Sequence, residues 1–216
     1  MRTVLFDFGH TLLDFARTEE ALRDAYGTVR DRLAGWVEDR APPEVDELVE
    51  RIAGAVDEMV GRSYAERRLE ELDQVALFAE AFAAIGYELP GELLHEVVEI
   101  DHDSFSRSLS VPASTIETLE ELRGMGLRLG VVSNISLFPH RMHGDLERLG
   151  LASLLDGAVF SSEIGVRKPA PRIFVRALRE VGGEAMTAVF VGDRLNDDIV
   201  GAQALGMRTI LTREFR

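Results

Sequence analysis

The stretch Arg2–Asp14, Arg-Thr-Val-Leu-Phe-Asp-Phe-Gly-His-Thr-Leu-Leu-Asp, decides how the rest of this chain is interpreted. Its first part, Thr3–Phe6, is a short run rich in β-branched and aromatic residues, which predicts a buried strand. Asp7 ends that run, so a carboxylate lies at the carboxyl end of the strand, where open α/β sheets bind their ligands. Gly9 follows two residues later and allows a sharp turn or the close approach of a ligand. A single acid at a strand end is more often a solvated loop residue, so the case for Asp7 depends on the sequence downstream.

The composition predicts a folded protein of one domain with an insert, or of two small domains. The chain has 216 residues, of which 46% are apolar, and this is enough to bury a sizeable core. Its formal net charge of -14 repels phosphate backbones and anionic lipids, so we expect neither nucleic acid nor a membrane as its main partner. A small anionic substrate is still compatible with this charge, because a bound divalent cation and one lysine reverse the potential locally.

The lack of cysteine excludes disulfides, thiolate zinc sites and thiol nucleophiles. This composition suits a reducing compartment. No run approaches the 18 or so apolar residues that a membrane-spanning helix needs, and an acid at position 7 is unlike a signal peptide. We therefore expect a cytoplasmic protein, as a monomer or a homodimer, since the sequence does not distinguish the two.

Between Asp14 and Ser110 the apolar residues recur every three or four positions, which predicts an all-helical insertion without strands. In the last part of this region, Asp101-His102-Asp103 looks like a run of metal ligands. Adjacent helix residues point in different directions, so we interpret the run as solvated or as a contact between the insertion and the core. The predicted helical segments are Arg17–Val37, Val45–Val60, Leu69–Ile85 and Gly91–Phe105.

From Val111 onwards, predicted strands alternate with predicted helices. Such alternation, with all-apolar strands, is typical of a parallel sheet covered on both faces. The fold class is therefore α/β, a Rossmann-like parallel sheet core (residues 1–15 and 111–216) with an inserted all-helical domain (residues 16–110). The predicted strands are Arg128–Val132, Ala158–Phe160, Ala188–Val191 and Arg208–Leu211, and the predicted helices are Ala113–Met125, Pro139–Leu149, Ala170–Val181 and Asp197–Leu205.

Polar side chains lie at three further strand ends or strand-end loops of the predicted sheet. Ser133-Asn134 follows one strand, Lys168 lies in a loop, and Asp193 with Asp197-Asp198 follows another strand. Each of these has an ordinary interpretation as a turn, a helix cap or a solvated residue. Because the carboxyl ends of parallel strands lie at one edge of a sheet, however, we expect these side chains to converge on Asp7.

These stretches resemble the motifs of the haloacid dehalogenase-like hydrolase superfamily, whose members are mostly Mg²⁺-dependent phosphatases. The similarity covers residues 2–14 and 111–212, and the helical insertion resembles the cap domain of that family. The four stretches that carry it are Phe6–Leu12, Val132–Asn134, Arg167–Pro169 with Pro171 and Phe174 following, and Val191–Asp198.

The resemblance implies that Asp7 is the nucleophile, which forms an aspartyl-phosphate with a small phosphorylated metabolite. It implies that Mg²⁺ offsets the charge repulsion, held by Asp7, the backbone carbonyl of Gly9, Asp193 and Asp198. Asp197 competes with Asp198 for the last of these positions. The phosphoryl oxygens would be held by Ser133, by the backbone at Asn134 and by Lys168, which would also counter the charge of Asp7.

One departure from the family pattern bears on catalysis. Phosphatases of this family usually carry a second Asp, the general acid and base, where this chain has Gly9. General acid–base catalysis is typically worth about 10²–10⁴-fold in rate. Three interpretations follow: the substrate has a leaving group that needs little protonation, such as an acyl or anomeric phosphate; His10, whose type titrates near neutral pH, supplies the proton; or the chain is a binding or regulatory protein that has lost catalysis.

A 2-haloacid dehalogenase is the alternative within the same family, because displacement of a halide needs neither an acid nor a metal. Such enzymes resemble this chain at Asp7, Ser133 and Lys168. They typically have an aromatic residue at the position of Gly9 and a halide-binding arginine in the cap, for which Arg32 and Arg40 are candidates here. The acid pair Asp193 and Asp198 favours the metal-dependent phosphatase.

Overall fold

The computed structural model describes residues 2–36 and 41–215. It divides into two compact units: unit 1 comprises Met1–Phe15, Leu69–Glu71 and Leu109–Arg216, and unit 2 comprises Ala16–Arg68 and Leu72–Ser108. Two residues named above, Val37 in a predicted helix and Arg40 as a halide-binding candidate, lie outside the described residues.

Unit 1 is built on a parallel sheet of five strands in the order β5-β4-β1-β6-β7. The central strand β1 pairs in parallel with β4 on one side and with β6 on the other. All four residues of β1 are buried, as its unbroken apolar sequence predicts for a strand covered on both faces. The predicted α/β class is confirmed. The strands are β1 (Thr3–Phe6), β2 (Asp14–Phe15), β3 (Leu109–Ser110), β4 (Arg128–Ser133), β5 (Gly157–Phe160), β6 (Ala188–Gly192) and β7 (Arg208–Leu211).

Helices occupy the sequence between these strands. A π-helical turn, Val49–Ala53, joins α2 to α3, and another, Leu195–Val200, leads into α10. Within the described ranges, no helix combines the length and the apolar character that crossing a membrane requires. The helices are α1 (Glu19–Trp36), α2 (Val45–Leu48), α3 (Gly54–Ala65), α4 (Gln74–Ala84), α5 (Gly91–Ser108), α6 (Ala113–Gly124), α7 (Pro139–Arg148), α8 (Ser161–Ile164), α9 (Pro171–Glu180) and α10 (Gly201–Gln203).

The core of unit 1 lies between the sheet and α9. This helix buries Ile173, Phe174, Ala177 and Leu178, which fall on one face at helical spacing. They pack in one cluster with sheet residues that include Phe190. The Phe174 and Phe190 rings meet edge to face with their centroids 5.2 Å apart, a favoured aromatic geometry. The apolar strands and this helix therefore fix the sheet whose edge carries the polar side chains.

The predicted helix over Leu69–Ile85 is wrong in its first turn. The structure begins α4 at Gln74, because the Asp73 side chain caps it by accepting hydrogen bonds from the backbone N–H groups of Val75 and Ala76 at 2.9 and 3.2 Å. Before this cap, Leu69–Glu71 is extended and belongs to unit 1 rather than to the helical unit. The N-cap, not the apolar spacing, sets where this helix begins.

The prediction that the insertion contains no strand is also wrong, at its ends and at one point in its middle. Phe15 and Leu109 pair as part of a short antiparallel ladder between β2 and β3, and Glu70 forms an isolated bridge with Val166. These elements are one or two residues long, which is too short to show an alternating pattern.

Asp101 and His102 in α5 are buried, with relative exposures of 5% and 0%, so the solvated interpretation is wrong for both. Within unit 2, the carboxylate of Asp101 accepts hydrogen bonds from Arg17 Nη1 at 2.8 Å and from the Tyr26 hydroxyl at 3.3 Å. Burial raises the pKa of Asp101, and the Arg17 charge opposes that rise. The Asp101 carboxylate therefore belongs to a buried polar network of the helical unit.

The close packing behind β4 provides a test of the fold. A Cβ added at Gly130 would lie 2.6 Å from Val181 Cγ1 and 3.0 Å from Leu5 Cδ2, both in the core. We expect Gly130→Ala to lower the free energy of unfolding by about 1–3 kcal/mol through overpacking. The matched control is Gly144→Ala on the exposed side of α7, where no atom lies within 4 Å of the new Cβ. It should stabilise by about 0.5–1 kcal/mol through helix propensity. Urea unfolding of both variants measures the difference, and equal effects would contradict the packing described.

Candidate active site

Three carboxylates meet at the carboxyl edge of the sheet. Asp7 follows β1, Asp193 follows β6, and Asp198 lies in the π-helical turn after β6. All three side chains are buried, and each offers a carboxylate oxygen within 4.8 Å of the others. Because β1 and β6 are neighbours in the sheet, residues separated by almost the whole sequence share one small volume.

Lys168 lies among these acids. Its ammonium Nζ donates to Asp7 Oδ1 at 2.5 Å and to Asp198 Oδ1 at 2.7 Å, and the lysine is itself buried. Burial alone would lower the pKa of Lys168, but the carboxylates of Asp198 and Asp7 outweigh it and raise that pKa. The lysine is therefore charged throughout the neutral range and is fixed against Asp7.

The balance of charge at this cluster favours a cation. Burial raises the pKa of Asp7 to about 7; the ammonium of Lys168 acts against the rise, and the carboxylates of Asp198 and Asp193 add to it. One ammonium group cannot neutralise three buried carboxylates. Their oxygens are hard ligands of the kind that Mg²⁺ prefers, so the residues present fit a divalent cation.

The turn after β6 is shaped to hold Asp198. Its Oδ2 accepts a hydrogen bond from the backbone N–H of Arg194 at 2.9 Å. Gly192 is required here, since a Cβ at this position would lie 2.4 Å from the carboxyl carbon of Asp198. Asp197 instead forms an ion pair with Arg194 at 3.5 Å and lies outside the group of three carboxylates. Of the two adjacent acids, the structure thus brings Asp198 to Asp7.

The loop after β4 is tied to Lys168 through Asn134. The side chain of Asn134 accepts from the backbone N–H of Lys168 at 2.6 Å and donates to the Lys168 carbonyl at 3.0 Å. Ser133, the last residue of β4, is buried beside it. Sequence analysis considered only the backbone at Asn134 and missed this side-chain bridge. Roles for Ser133, for the backbone at Asn134 and for the Gly9 carbonyl stay predictions.

A side chain at position 9 would require the Phe15 ring to move. A Cβ at Gly9 would lie 2.8 Å from Cε1 of Phe15, whose ring stacks on His10 with centroids 4.5 Å apart. His10 has a left-handed backbone conformation, with φ of 56°, and its Nδ1 lies 3.2 Å from a carboxylate oxygen of Asp14. Sequence analysis noted His10 by its position but missed Phe15, which has no motif of its own.

Of the two arginines considered for halide binding, only Arg32 lies in the described part of the chain. It is exposed in α1 of unit 2 and pairs with Glu96 at 2.5 Å. This environment is that of an ordinary surface ion pair.

Comparison with known proteins bears on the family of this chain. A family model described as haloacid dehalogenase-like hydrolase matches residues 1–206. The glyceraldehyde 3-phosphate phosphatase of Methanopyrus kandleri is 32% identical over 213 residues, which are 99% of this chain and 84% of that protein. The ribulose-1,5-bisphosphate 5-phosphatase of Halopiger xanaduensis is 36% identical over 108 residues, which are 50% of this chain and 44% of that protein.

Solved structures lead to the same family. A haloacid dehalogenase-like (HAD) phosphatase from Thermococcus onnurineus superposes with a TM-score of 0.63 at 28% identity, over 100% of this chain and 88% of that one. A 2-haloacid dehalogenase from Pseudomonas syringae also gives 0.63 at 28% identity, over 98% of this chain and 86% of that one. The chain is therefore an enzyme of the haloacid dehalogenase-like hydrolase family.

Proposed function

We propose that this hydrolase removes phosphate from a small phosphorylated metabolite, with Asp7 as its nucleophile and Mg²⁺ as its cofactor. The observation that carries the proposal is the buried group of Asp7, Asp193 and Asp198 around the Lys168 ammonium. The names of two relatives, which act on glyceraldehyde 3-phosphate and ribulose-1,5-bisphosphate, support a small phosphorylated substrate.

In the proposed reaction, a carboxylate oxygen of Asp7 attacks the phosphorus atom. A bond forms between Asp7 and phosphorus while the bond from phosphorus to the leaving oxygen breaks, and the leaving group departs with that electron pair. Water then hydrolyses the aspartyl-phosphate, which restores Asp7 and releases inorganic phosphate. Asp7, the Gly9 carbonyl, Asp193 and Asp198 would hold Mg²⁺, which would supply positive charge against the repulsion between nucleophile and phosphate.

Lys168 has two proposed tasks in this reaction. Its contact of 2.5 Å with Asp7 Oδ1 orients the nucleophile, and its charge stabilises the negative charge on the transferred phosphoryl group. The Ser133 hydroxyl and the backbone N–H at Asn134 are the proposed donors to the remaining phosphoryl oxygens. The Asn134 side chain supports this arrangement by holding the Lys168 backbone.

Protonation of the leaving group is the step for which this chain lacks the usual residue. Gly9 offers no side chain, and the Phe15 ring fills the adjoining space. A substrate with an acidic leaving group, such as an acyl or anomeric phosphate, requires no such donor. For other substrates His10 stays the candidate proton donor, since it follows Gly9 directly in the sequence.

The domain assignment completes the proposal. We infer that residues 1–15 and 111–216 form the catalytic core and that the helical residues 16–110 form a cap domain that selects the substrate. Unit 2, which consists of helices in the described residues, supports this assignment. The lack of cysteine supports a cytoplasmic location.

Haloacid dehalogenation is the second candidate, favoured by the similarity to the Pseudomonas syringae enzyme and by the lack of an acid at Gly9. It does not account for Asp193 in the buried group of acids, because displacement of a halide needs no metal, whereas Asp198 pairs with Lys168 in either case.

The first test is a panel of phosphate esters assayed with and without Mg²⁺, on the wild-type protein and on Asp7→Asn. We expect turnover that requires the metal and falls about 10³-fold or more in Asp7→Asn, because the amide cannot form the covalent intermediate. Glu117→Gln, an exposed carboxylate of α6, is the control and should keep full activity. Chloride release from 2-haloacids without metal would indicate the dehalogenase instead.

The second test asks whether Asp198 is a metal ligand, by changing Gly192, whose lack of a side chain leaves space for Asp198. The methyl group of Gly192→Ala would collide with Asp198, so this acid must move. We expect the Mg²⁺ dissociation constant, measured by titration calorimetry, to rise about 10- to 100-fold. Gly144→Ala, which meets no atom within 4 Å, should leave it unchanged. An unaltered affinity in folded Gly192→Ala would argue against Asp198 as a ligand.

The third test restores an acid at position 9. In Gly9→Asp alone the new side chain meets the Phe15 ring, so we expect little gain in rate. Combined with Phe15→Ala, it should raise turnover of an alkyl phosphate about 10²-fold over Phe15→Ala alone. Turnover of p-nitrophenyl phosphate should barely change, since p-nitrophenolate leaves without protonation. Equal rates on the alkyl phosphate with and without the new acid would show that leaving-group protonation is not limiting.

A further inference from the structure

The short segment Leu69–Glu71 belongs to the core although the residues on both sides of it belong to unit 2. It lies alongside the chain that leads to Lys168. The backbone N–H of Arg167 donates to the Leu69 carbonyl at 2.7 Å, and that of Glu71 donates to the Gly165 carbonyl at 3.0 Å. A segment from the middle of the insertion therefore belongs to the core, where it pairs with the residues that precede Lys168 in sequence.

Glu71 places a charged group in the interior at this point. One of its oxygens, Oε1, accepts a hydrogen bond from Nε of Arg167 at 2.7 Å and lies 2.5 Å from Nη2 of the same guanidinium group. The other oxygen accepts a hydrogen bond from the hydroxyl of Ser161. The side chains of Arg167 and Glu71 are 1% and 2% exposed. Hydrogen bonds between such charged groups are short and strong, and removing one partner leaves the other charge buried without compensation.

Both partners of Glu71 lead directly to the active-site loops. Arg167 precedes Lys168 in sequence. Ser161 Oγ accepts a hydrogen bond from the backbone N–H of Ile135 at 2.7 Å, and Ile135 follows Asn134. Asn134 in turn is bonded twice to the Lys168 backbone. The carboxylate of Glu71 and the amide of Asn134 thus join the same two loops at two points.

We propose that Glu71 is a positioning residue for the reaction: by binding Arg167 and Ser161 together, it fixes the loops that carry Lys168 and Asn134. The activity part of this inference rests on the proposed function. Glu71 touches no reacting atom, and its effect is on where Lys168 Nζ lies relative to Asp7, at present 2.5 Å away. A displacement of about 1 Å in such a contact can cost about 10²-fold in rate.

This residue is supplied by the insertion and not by the strands of the sheet. Arg68 and Leu72, which flank the segment, both belong to unit 2. The geometry of the core site therefore depends on one carboxylate encoded within the helical region, so exchange of that region alone removes a support of Lys168.

The test compares Glu71→Ala and Glu71→Gln with Asp145→Ala. Asp145 is the control, because its side chain is 5% exposed and pairs with Arg148 at 3.1 Å in the same unit, on α7. It matches Glu71 in its own burial but not in that of its partner, since Arg148 is 47% exposed. For each variant we would measure the unfolding temperature, kcat for p-nitrophenyl phosphate with saturating Mg²⁺ well below that temperature, and amide hydrogen exchange of residues 133–136 and 165–168.

We expect Glu71→Ala to lower kcat about 10- to 100-fold and to speed amide exchange in both loops. Glu71→Gln should recover most of the rate, since its amide oxygen still accepts from Arg167 and its N–H₂ can donate to Ser161. Asp145→Ala should lose stability without either effect. A purely structural role predicts instead that Glu71→Ala and Asp145→Ala behave alike, and that outcome would overturn the proposal.

Two further outcomes also test the proposal: a Glu71→Ala variant that does not fold, and a wild-type protein without phosphatase activity. If Glu71→Ala does not fold, Ser161→Ala replaces it, because this change removes the hydrogen bonds of Ser161 to Glu71 and to Ile135 and leaves the ion pair between Glu71 and Arg167. Unchanged exchange of residues 133–136 in Ser161→Ala would then overturn the proposal. If the wild-type protein hydrolyses no phosphate ester, the proposed function fails, and the exchange measurement still decides whether Glu71 holds the two loops.

Discussion

The burial of three carboxylates beside one ammonium group is the constraint on which this structure depends. Asp7, Asp193 and Asp198 lie close enough for their oxygens to share a ligand, and Lys168 binds two of them. Burial disfavours the ionised form of Asp7 and raises its pKa, and the ammonium of Lys168 opposes that rise. Several surrounding residues keep these charges together. Gly192 leaves space for Asp198 in its turn, and the hydrogen bonds from Asn134 hold the backbone of Lys168.

The sheet creates this constraint by its topology. Placing β1 in the centre makes β4 and β6 its neighbours, so that polar residues which follow three strands meet at one edge. The strands themselves are held by apolar packing, exemplified by Phe174 against Phe190. The apolar core therefore fixes the positions of the polar residues, although none of these polar residues belongs to it. The Glu71 segment, among the described residues that support the site, is encoded within the insertion and not in the alternating strands and helices.

Much of the core could be predicted from the sequence because its signals are local. The unbroken apolar runs identify the strands of the sheet, and the alternation of strands with helices identifies their parallel order. The pairing of Glu71 with Arg167 could not be predicted, since the two residues are far apart in sequence and Glu71 lies in a stretch with helical spacing. The burial of Asp101 was missed for the same reason: its partner Arg17 lies at the other end of the insertion. In both cases the burial of the acid depends on a partner that is distant in sequence, and the local sequence around the acid does not indicate that partner.

The space next to Gly9 shows how one small residue and one large residue form a single feature. The Phe15 ring lies against His10 in the space that a Cβ at position 9 would need, so an acid at this position requires the ring to move. A nucleophile with strong charge compensation but no adjacent proton donor reacts fastest where the departing oxygen is already a weak base. Under the proposed function, the Gly9–Phe15 pair therefore makes the acidity of the leaving group a part of substrate selection. Substrates of relatives with an acid at this position then do not transfer to this chain by similarity alone.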